Sequence, residues 1–193
     1  MIIGYLIDTL MINRQNNKRV GFFRKSKASN KELVDLFKRI QKIRYESNED
    51  EWKDKKFITK LSSLEKKASQ KILHLLKNKK LKTADDFYRA AFVFHHGENF
   101  EMYLKAVALA AISNHLGEPW GKNMYAVALD RLMVSIGLPQ YFGSQYEIKK
   151  GKWQLFPVNE TTTDEERRLY LIEPIAKLRE PKRSIATSDE KKL

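Results

Sequence analysis

Three consecutive apolar stretches between residues 83 and 137 constrain the fold of this chain more than any other feature. The segments "AAFVF", "AVALAAI" and "YAVAL" with "LMV" are hydrophobic on most faces of a helix, which is typical of interior helices. Each stretch is followed by a glycine, a common helix terminator, and the alanines allow helix axes to approach closely. The sequence therefore predicts three packed helices, over 84–96, 99–116 and 121–136.

Two further helices are predicted before this region. Ser29 and Glu32 have the spacing of a capping box, and an amphipathic stripe follows at Leu33, Leu36, Phe37, Ile40 and Ile43. A second stripe runs through Phe57, Ile58, Leu61, Leu64, Ala68, Ile72 and Leu75. Both helices keep broad basic faces, so we expect them to cover the core from outside.

The helical period stops after Gly137. Two short β-prone runs on either side of Lys150 and Gly151 predict a hairpin. Capping boxes are predicted at Thr83 with Asp86 and at Thr163 with Glu166. The predicted fold is a mainly all-α helical-hairpin bundle with a small C-terminal β-hairpin, and it resembles the Sel1-like and tetratricopeptide class. The predicted organisation is an arm over 1–28, basic amphipathic helices over 29–82, a helical core domain over 83–180 and a flexible tail over 181–193.

The net charge of +13 is unevenly distributed. Residues 1–82 hold 22 Lys and Arg against 9 Asp and Glu, whereas residues 83–193 hold 15 of each. Such a basic segment can bind nucleic acid or an acidic surface. Lysines that alternate with apolar helix formers, without interleaved aromatic residues, favour a solvated face instead. Nucleic acid is therefore a possible partner that the pattern does not favour.

The chain contains no cysteine, which excludes disulfides and thiolate chemistry. The opening "MIIGYLIDTLMINR" lacks the basic start and the cleavage site of a signal peptide, so we interpret it as a packed N-terminal element. A membrane-associating or cleaved segment is the alternative. No uninterrupted apolar run of about 18 residues occurs, so no membrane span is expected. These features predict a cytoplasmic protein.

The third interior helix contains an adjacent acid and base, Asp130 and Arg131. An unpartnered buried charge costs several kcal/mol, so each is expected to have a partner. Neighbouring helical residues point about 100° apart, so the two cannot neutralise each other on one face. A structural ion pair and a functional site are both compatible with this pattern.

The expected meeting of several polar residues at one end of the helix bundle favours the functional interpretation. If the three helices run up, down and up, the first and third end at the same end of the bundle, and Arg131 lies roughly 9 Å below that end. We therefore expect a polar pocket there, as helical bundles build ligand sites. The pocket is predicted to contain His96, Asp130 and Arg131 as catalytic residues and Gln140, Tyr141, Ser144 and Gln145 as ligand-binding residues.

Each side chain suggests a role. The helix dipole favours the cationic form of His96, which would suit a proton donor or an anion contact. Arg131 suits a carboxylate or phosphate through its planar fork. The glutamine amides can each donate and accept. We interpret His95 and His74 as structural residues.

No metal or cofactor is predicted. His95 and His96 are adjacent, not spaced i, i+4, so a metal set of His96, His115 and Asp130 would depend on the tertiary fold. No Walker loop, dinucleotide fingerprint, HExxH or GxSxG motif occurs.

The segment "DRLMVSIGLPQYFGSQ" resembles a motif of bacterial proteins that are grouped as domains of unknown function: Asp-Arg, five residues, then Gly-x-Pro-Gln-x-aromatic-Gly-Thr-Gln. The segments "FHHGENFEMYLKAVALA" and "GKWQLFPVNETTTDEER" resemble its flanks, and together they cover roughly 84–178. In related members His95 is commonly glutamine and Ser144 is threonine. The resemblance implies a site without a known chemistry, at His96, Asp130, Arg131, Gln140, Gly143 and Gln145.

Three functions are compatible with the sequence. The first is a non-metal enzyme that acts on a small polar or anionic metabolite, with His96 in acid–base work and Arg131 as anchor. The second is a module that holds a ligand or a peptide without turnover. The third is a nucleic-acid or acidic-surface binder that uses the basic N-terminal part.

Overall fold

A computed structural model describes residues 28–48, 51–52, 54–149 and 152–180. The predictions for the first 27 residues and for the tail from Pro181 lie outside these described residues. No helix in the described part of the chain is long and apolar enough to cross a membrane.

The fold is mainly helical, as predicted. Its elements are α1 (Lys31–Glu46), α2 (Lys55–Lys77), α3 (Ala84–His95), α4 (Phe100–His115), α5 (Gly121–Ser135), β1 (Tyr146–Lys149), β2 (Lys152–Leu155), α6 (Asp164–Leu169) and α7 (Ile175–Leu178). The helix α4 packs between α3 and α5, and α1 and α2 pack against α3. The strands form the predicted antiparallel hairpin, with Tyr146 opposite Leu155.

One hydrophobic core extends through the five long helices. The amphipathic stripes of α1 and α2 contribute Ile40 and Ile72, which are fully buried in the same core cluster as Phe87 and Phe94 of α3. Burial of each large aliphatic or aromatic side chain stabilises the fold by about 1.5–3 kcal/mol. The two basic helices therefore supply part of the core with one face and expose lysines on the other.

Two of the three predicted capping boxes are confirmed. Thr83 and Asp86 bond reciprocally at the start of α3, and Thr163 and Glu166 do the same at the start of α6. These boxes could be predicted because their donors and acceptors lie within one helical turn.

The third predicted capping box, at Ser29, is wrong. Asn30 caps α1, and its side chain accepts from the Leu33 amide at 3.1 Å. The Ser29 hydroxyl instead donates to Asp85 Oδ2 at 2.7 Å. The Ser29 hydroxyl therefore bonds to a residue of α3, and it does not cap α1 as the local pattern predicted.

Two glycines of the loop after α5, Gly137 and Gly143, have positive φ, as their positions at the helix end and in the loop predict. Gly137 has φ +76° and donates to Val134 O, while Leu138 donates to Met133 O, which together close α5 with a Schellman motif. Gly143 has φ +102°. Side chains rarely adopt either conformation.

Alanine substitutions at these glycines should differ in cost. A Cβ at Gly137 would meet no atom within 4 Å, whereas a Cβ at Gly143 would lie 2.9 Å from Leu178 Cδ1. We expect Gly137→Ala to destabilise by about 1 kcal/mol through its φ alone. Gly143→Ala should cost about 2 kcal/mol, because a φ of +102° lies farther from the left-handed region that side chains adopt, whereas the end of the Leu178 side chain can move aside. Urea denaturation checks the order, and equal losses would contradict it.

Candidate functional site

The Asp130 carboxylate organises the loop that follows α5. The side chain is completely buried. Oδ1 accepts from the amides of Tyr141 and Phe142 at 2.8 and 2.7 Å. Oδ2 accepts from the amides of Gly143 and Ser144 at 2.9 and 2.8 Å and from the Ser144 hydroxyl at 2.8 Å. Five donors therefore converge on one carboxylate, which supports a structural role for Asp130.

Gln140 closes the same loop from its other end. Its fully buried amide donates to Gln145 O and to Phe156 O, both at 3.0 Å, and accepts from the Gln145 amide at 2.7 Å. Its backbone pairs with Pro157 and Asn159 in an isolated parallel bridge. The Gln140 amide is therefore hydrogen-bonded within the loop and to the strand segment that follows it.

Arg167 of α6 also fixes the loop, through a hydrogen bond to its backbone. The side chain is 2 % exposed, and it donates to Phe142 O at 2.9 Å, to Thr162 O at 2.7 Å and to Asp164 at 3.0 Å. Sequence reasoning missed this residue, because "TDEERR" is typical of an exposed charged helix start. The only sequence signal near Arg167 was the capping box of Thr163 and Glu166, which predicts where α6 begins.

The loop residues Tyr141 and Ser144 also serve the loop itself. Beyond its amide bond, the Tyr141 hydroxyl makes only a long contact of 3.5 Å with Glu166. The Ser144 hydroxyl donates to Asp130 and accepts from Gln145 Nε2 at 2.9 Å. The Ser144 hydroxyl is therefore used within the loop, whereas the Tyr141 hydroxyl keeps most of its hydrogen-bonding capacity.

Gln145 connects the loop to Arg131. Its Oε1 accepts from Arg131 Nε at 2.8 Å, and its Nε2 also reaches Val127 O at 3.2 Å. Because the loop fixes this glutamine, it also fixes the orientation of the guanidinium.

Arg131 lies within electrostatic range of the histidine pair at the end of α3. The positive charge of Arg131 contributes to lowering the pKa of both His95 and His96. The two imidazoles contact each other with ring centroids 4.9 Å apart, and His96 packs edge-on against Phe92. His95 is 5 % exposed, and its Nδ1 has no hydrogen-bond partner in the part of the chain that the structure describes.

Two residues that the sequence did not single out complete this site. Arg44 of α1 bonds to Glu65 of α2, with Nε–Oε1 at 2.8 Å and Nη2–Oε1 at 2.6 Å. The Arg44 charge also acts on both histidines. We call Arg44, Glu65, His95, His96 and Arg131 the Arg–His cluster.

Burial dominates the electrostatics of the cluster. Desolvation is the largest cause that lowers the pKa of His95 and His96 well below the usual range, and it also lowers the pKa of Arg131. Desolvation raises the pKa of Glu65, against the opposing effect of Arg44. The expected cationic form of His96 is therefore wrong, because burial beside two guanidinium groups outweighs the helix dipole. Both imidazoles are neutral at pH 7.

The described residues include no group of three His, Asp or Glu side chains that could hold a metal ion. No family model, curated protein or solved structure matches the chain. The resemblance of the loop motif to domains of unknown function, and of the helices to Sel1-like repeats, therefore stays a prediction.

The buried histidines should make stability depend on pH. Each takes up a proton near pH 6.5 when unfolded but only at lower pH when folded, so stability is lost as pH falls below about 6.5. The loss should approach about 1.4 kcal/mol per pH unit for each histidine. The raised pKa of Glu65 acts in the opposite sense, beginning closer to pH 4.5.

Urea denaturation from pH 7.5 to 5 measures this dependence. The variant His96→Gln should reduce the slope, whereas His115→Gln, at the exposed end of α4, should leave it unchanged. A wild-type stability that stays constant over this range would contradict the buried neutral histidines.

Proposed function

We propose that this protein binds a small anionic ligand, such as a carboxylate or phosphate compound, at the Arg–His cluster. The observation that carries the proposal is the state of Arg131. Its side chain is partly buried, and desolvation lowers its pKa. Among the described residues no carboxylate forms an ion pair with it, since Asp130 bonds to the loop and Glu65 bonds to Arg44.

The charge of Glu65 acts on Arg131, but Glu65 is ion-paired with Arg44. A partly buried cation without an ion pair of its own is costly, and the cost falls when an anion binds beside it.

Gln145 fixes Nε of Arg131, and Tyr103 makes a further hydrogen bond with the Arg131 side chain. The guanidinium donors that these two residues do not use can face a ligand. Gln145 thereby acts as a positioning residue, and the loop anchored by Asp130 provides its rigidity.

The histidines suit the same ligand. His95 Nδ1 is buried without a partner. A neutral imidazole can either donate or accept one hydrogen bond there, and a ligand would reach this nitrogen only after the surrounding side chains move. An anion beside the pair would offset the two arginine charges that lower the pKa of both rings. Ligand binding is therefore expected to be accompanied by proton uptake below neutral pH.

An enzyme acting on such a ligand is the second candidate. The observation in its favour is the neutral imidazole of His96 within range of the Arg131 charge, because only the neutral form can accept a proton as a general base. His96→Gln then distinguishes the two functions. A catalyst that uses this ring should lose about 10²–10⁴-fold in turnover of the bound ligand, whereas a binding module should lose little affinity and show no turnover.

Binding of inorganic phosphate and of small dicarboxylates, measured by calorimetry, tests the proposal. Arg131→Lys keeps the charge but loses the fork, so we expect at least a tenfold loss of affinity with nearly unchanged stability. Arg39→Lys, on the exposed face of α1, is the matched control and should bind as the wild type does. Equal affinity in all three proteins would contradict a ligand site at Arg131.

A further inference from the structure

The solvent-exposed side of α2 carries lysines along its whole length. The apolar side chains of this helix, such as Leu61, Ile72 and Leu75, are buried in the core. The lysines that alternate with them in the sequence therefore lie together on the exposed side of the helix. We call the six exposed lysines of α2 the lysine surface: Lys55, Lys56, Lys60, Lys66, Lys67 and Lys77.

The acids of α1 and α2 do not neutralise the lysine surface. The only acidic residue within α2 is Glu65, which is buried and bonds to Arg44. Glu32 of α1 pairs with Lys71, which is not one of the six lysines. Within the described ranges, none of the six forms an ion pair.

Two acids lie at the border of this surface. Asp54 caps the first turn of α2, and Glu98 accepts a hydrogen bond from the Ser62 hydroxyl. Six lysines against these two acids leave four positive charges in excess. A cluster of one sign of charge raises the local concentration of partners of the opposite sign, so the partner that fits this surface is an anion.

The length and the spacing of the lysine surface suit a polymer of negative charges. The helix α2 spans 23 residues, which corresponds to roughly 34 Å. Lys56, Lys60 and Lys67 follow one another at intervals of four and seven residues, so they lie on one face along the helix. Duplex nucleic acid carries one phosphate charge per about 1.7 Å of its axis. Several lysines can therefore pair with phosphates at once, whereas a small anion could contact only one or two.

The packing of α2 favours nucleic acid over a lipid surface. Helices that bind lipid surfaces insert an exposed apolar face. The apolar face of α2 packs in the core, and Ile58 is the only large apolar side chain of this helix that is exposed. The exposed side of α2 therefore offers charge without the apolar area that a membrane requires.

The types of side chain on the exposed side of α2 indicate how nucleic acid would bind. Ser63 and Gln70 are exposed on the same helix as the lysines, and such side chains commonly bond to phosphate oxygens. The helix contains no arginine, the residue that most often reads guanine in the major groove. It also has no exposed phenylalanine, tyrosine or tryptophan on which an unpaired base could stack. These features fit the phosphate backbone of a duplex and not its bases.

We propose that the lysine surface of α2 binds the phosphate backbone of duplex nucleic acid without sequence preference. The observation that carries this proposal is the excess of unpaired lysine charge along a helix whose only acid is buried. The interface is independent of the proposed function, because none of the six lysines belongs to the Arg–His cluster.

Fluorescence anisotropy of the full chain with two labelled DNA duplexes of unrelated sequence tests this interface. Both duplexes should bind equally, and binding should weaken as KCl rises from about 50 to 200 mM, because each lysine–phosphate contact contributes about −0.9 to the slope of log K against log salt. The double variant Lys60→Gln with Lys67→Gln removes two central contacts. It should reduce the slope by about 2 and weaken binding at 100 mM KCl by about tenfold or more.

The matched control removes two exposed positive charges elsewhere, by Arg168→Gln with Arg179→Gln, and it should bind the duplexes nearly as the wild type does. Equal weakening by both double variants would overturn the interface, because it would indicate attraction to net charge alone. Absence of binding at about 50 mM KCl would overturn it too. Binding to phosphatidylserine vesicles but not to the duplexes would identify a lipid surface as the partner and would also overturn the proposal.

Discussion

Replacement of Asp130 by asparagine is expected to lower the free energy of unfolding by about 3–5 kcal/mol. The carboxylate is fully buried and accepts five hydrogen bonds. An amide would place an NH₂ group where one oxygen stood, so at least two loop donors would face another donor. Each buried donor left without an acceptor costs about 1–3 kcal/mol.

Urea denaturation at pH 7.5 measures the effect of Asp130→Asn. The control is Asp35→Asn on the exposed face of α1, which should change stability by no more than about 0.5 kcal/mol. A loss below about 1 kcal/mol at Asp130 would show that the loop does not depend on this carboxylate. The loop and its glutamine would then have to be held by Gln140 and Arg167 alone.

Replacement of Glu65 by glutamine should destabilise by about 2–4 kcal/mol, because it leaves two partly buried guanidinium groups without any carboxylate in the cluster. The Glu65 side chain is 10 % exposed and that of Arg44 is 21 % exposed. The matched control is Glu32→Gln, which breaks the surface ion pair with Lys71 at 53 % and 43 % exposure. A surface pair of this kind contributes no more than about 1 kcal/mol.

Added anions should distinguish the two glutamate variants further. Phosphate stabilises any folded protein that binds it, by an amount that grows with occupancy. If an anion replaces the missing carboxylate in Glu65→Gln, phosphate should restore more stability there than in Glu32→Gln or in the wild type. The same increment in all three proteins would indicate a general salt effect.

The helices and their ends could be predicted from the sequence because the signals for them are local. The stripe that includes Ile40 and Ile72, the capping box at Thr83 and the positive φ at Gly137 each depend on residues within a few turns. The unusual position of Asp130 and Arg131 in an apolar helix was also visible. Their partners were not, because four of the donors to Asp130 are backbone amides, which carry no sequence signature.

The other residues of the Arg–His cluster lie in segments whose sequence pattern predicts a solvent-exposed surface. Arg44 and Glu65 lie on helices whose lysines suggest an exposed face, and only the packing of α1 and α2 against α3 brings them to the histidines. His95 stands where the motif that the segment resembles commonly has glutamine, so the motif does not mark it as a site residue. In the structure, however, His95 is more deeply buried than His96. A local pattern cannot rank two adjacent histidines, because burial depends on which neighbouring helix each ring faces.

The most direct test of the central proposal is a crystal structure of the full chain soaked in sodium bromide, with data collected at the bromine absorption edge. Bromide is an anion that anomalous scattering identifies without ambiguity. The proposal predicts an anomalous peak within hydrogen-bond distance of the Arg131 guanidinium, on the side that faces His96 and Arg44, and loss of that peak in Arg131→Met crystals. Peaks at exposed lysines with none beside Arg131 would contradict an anion site in the Arg–His cluster.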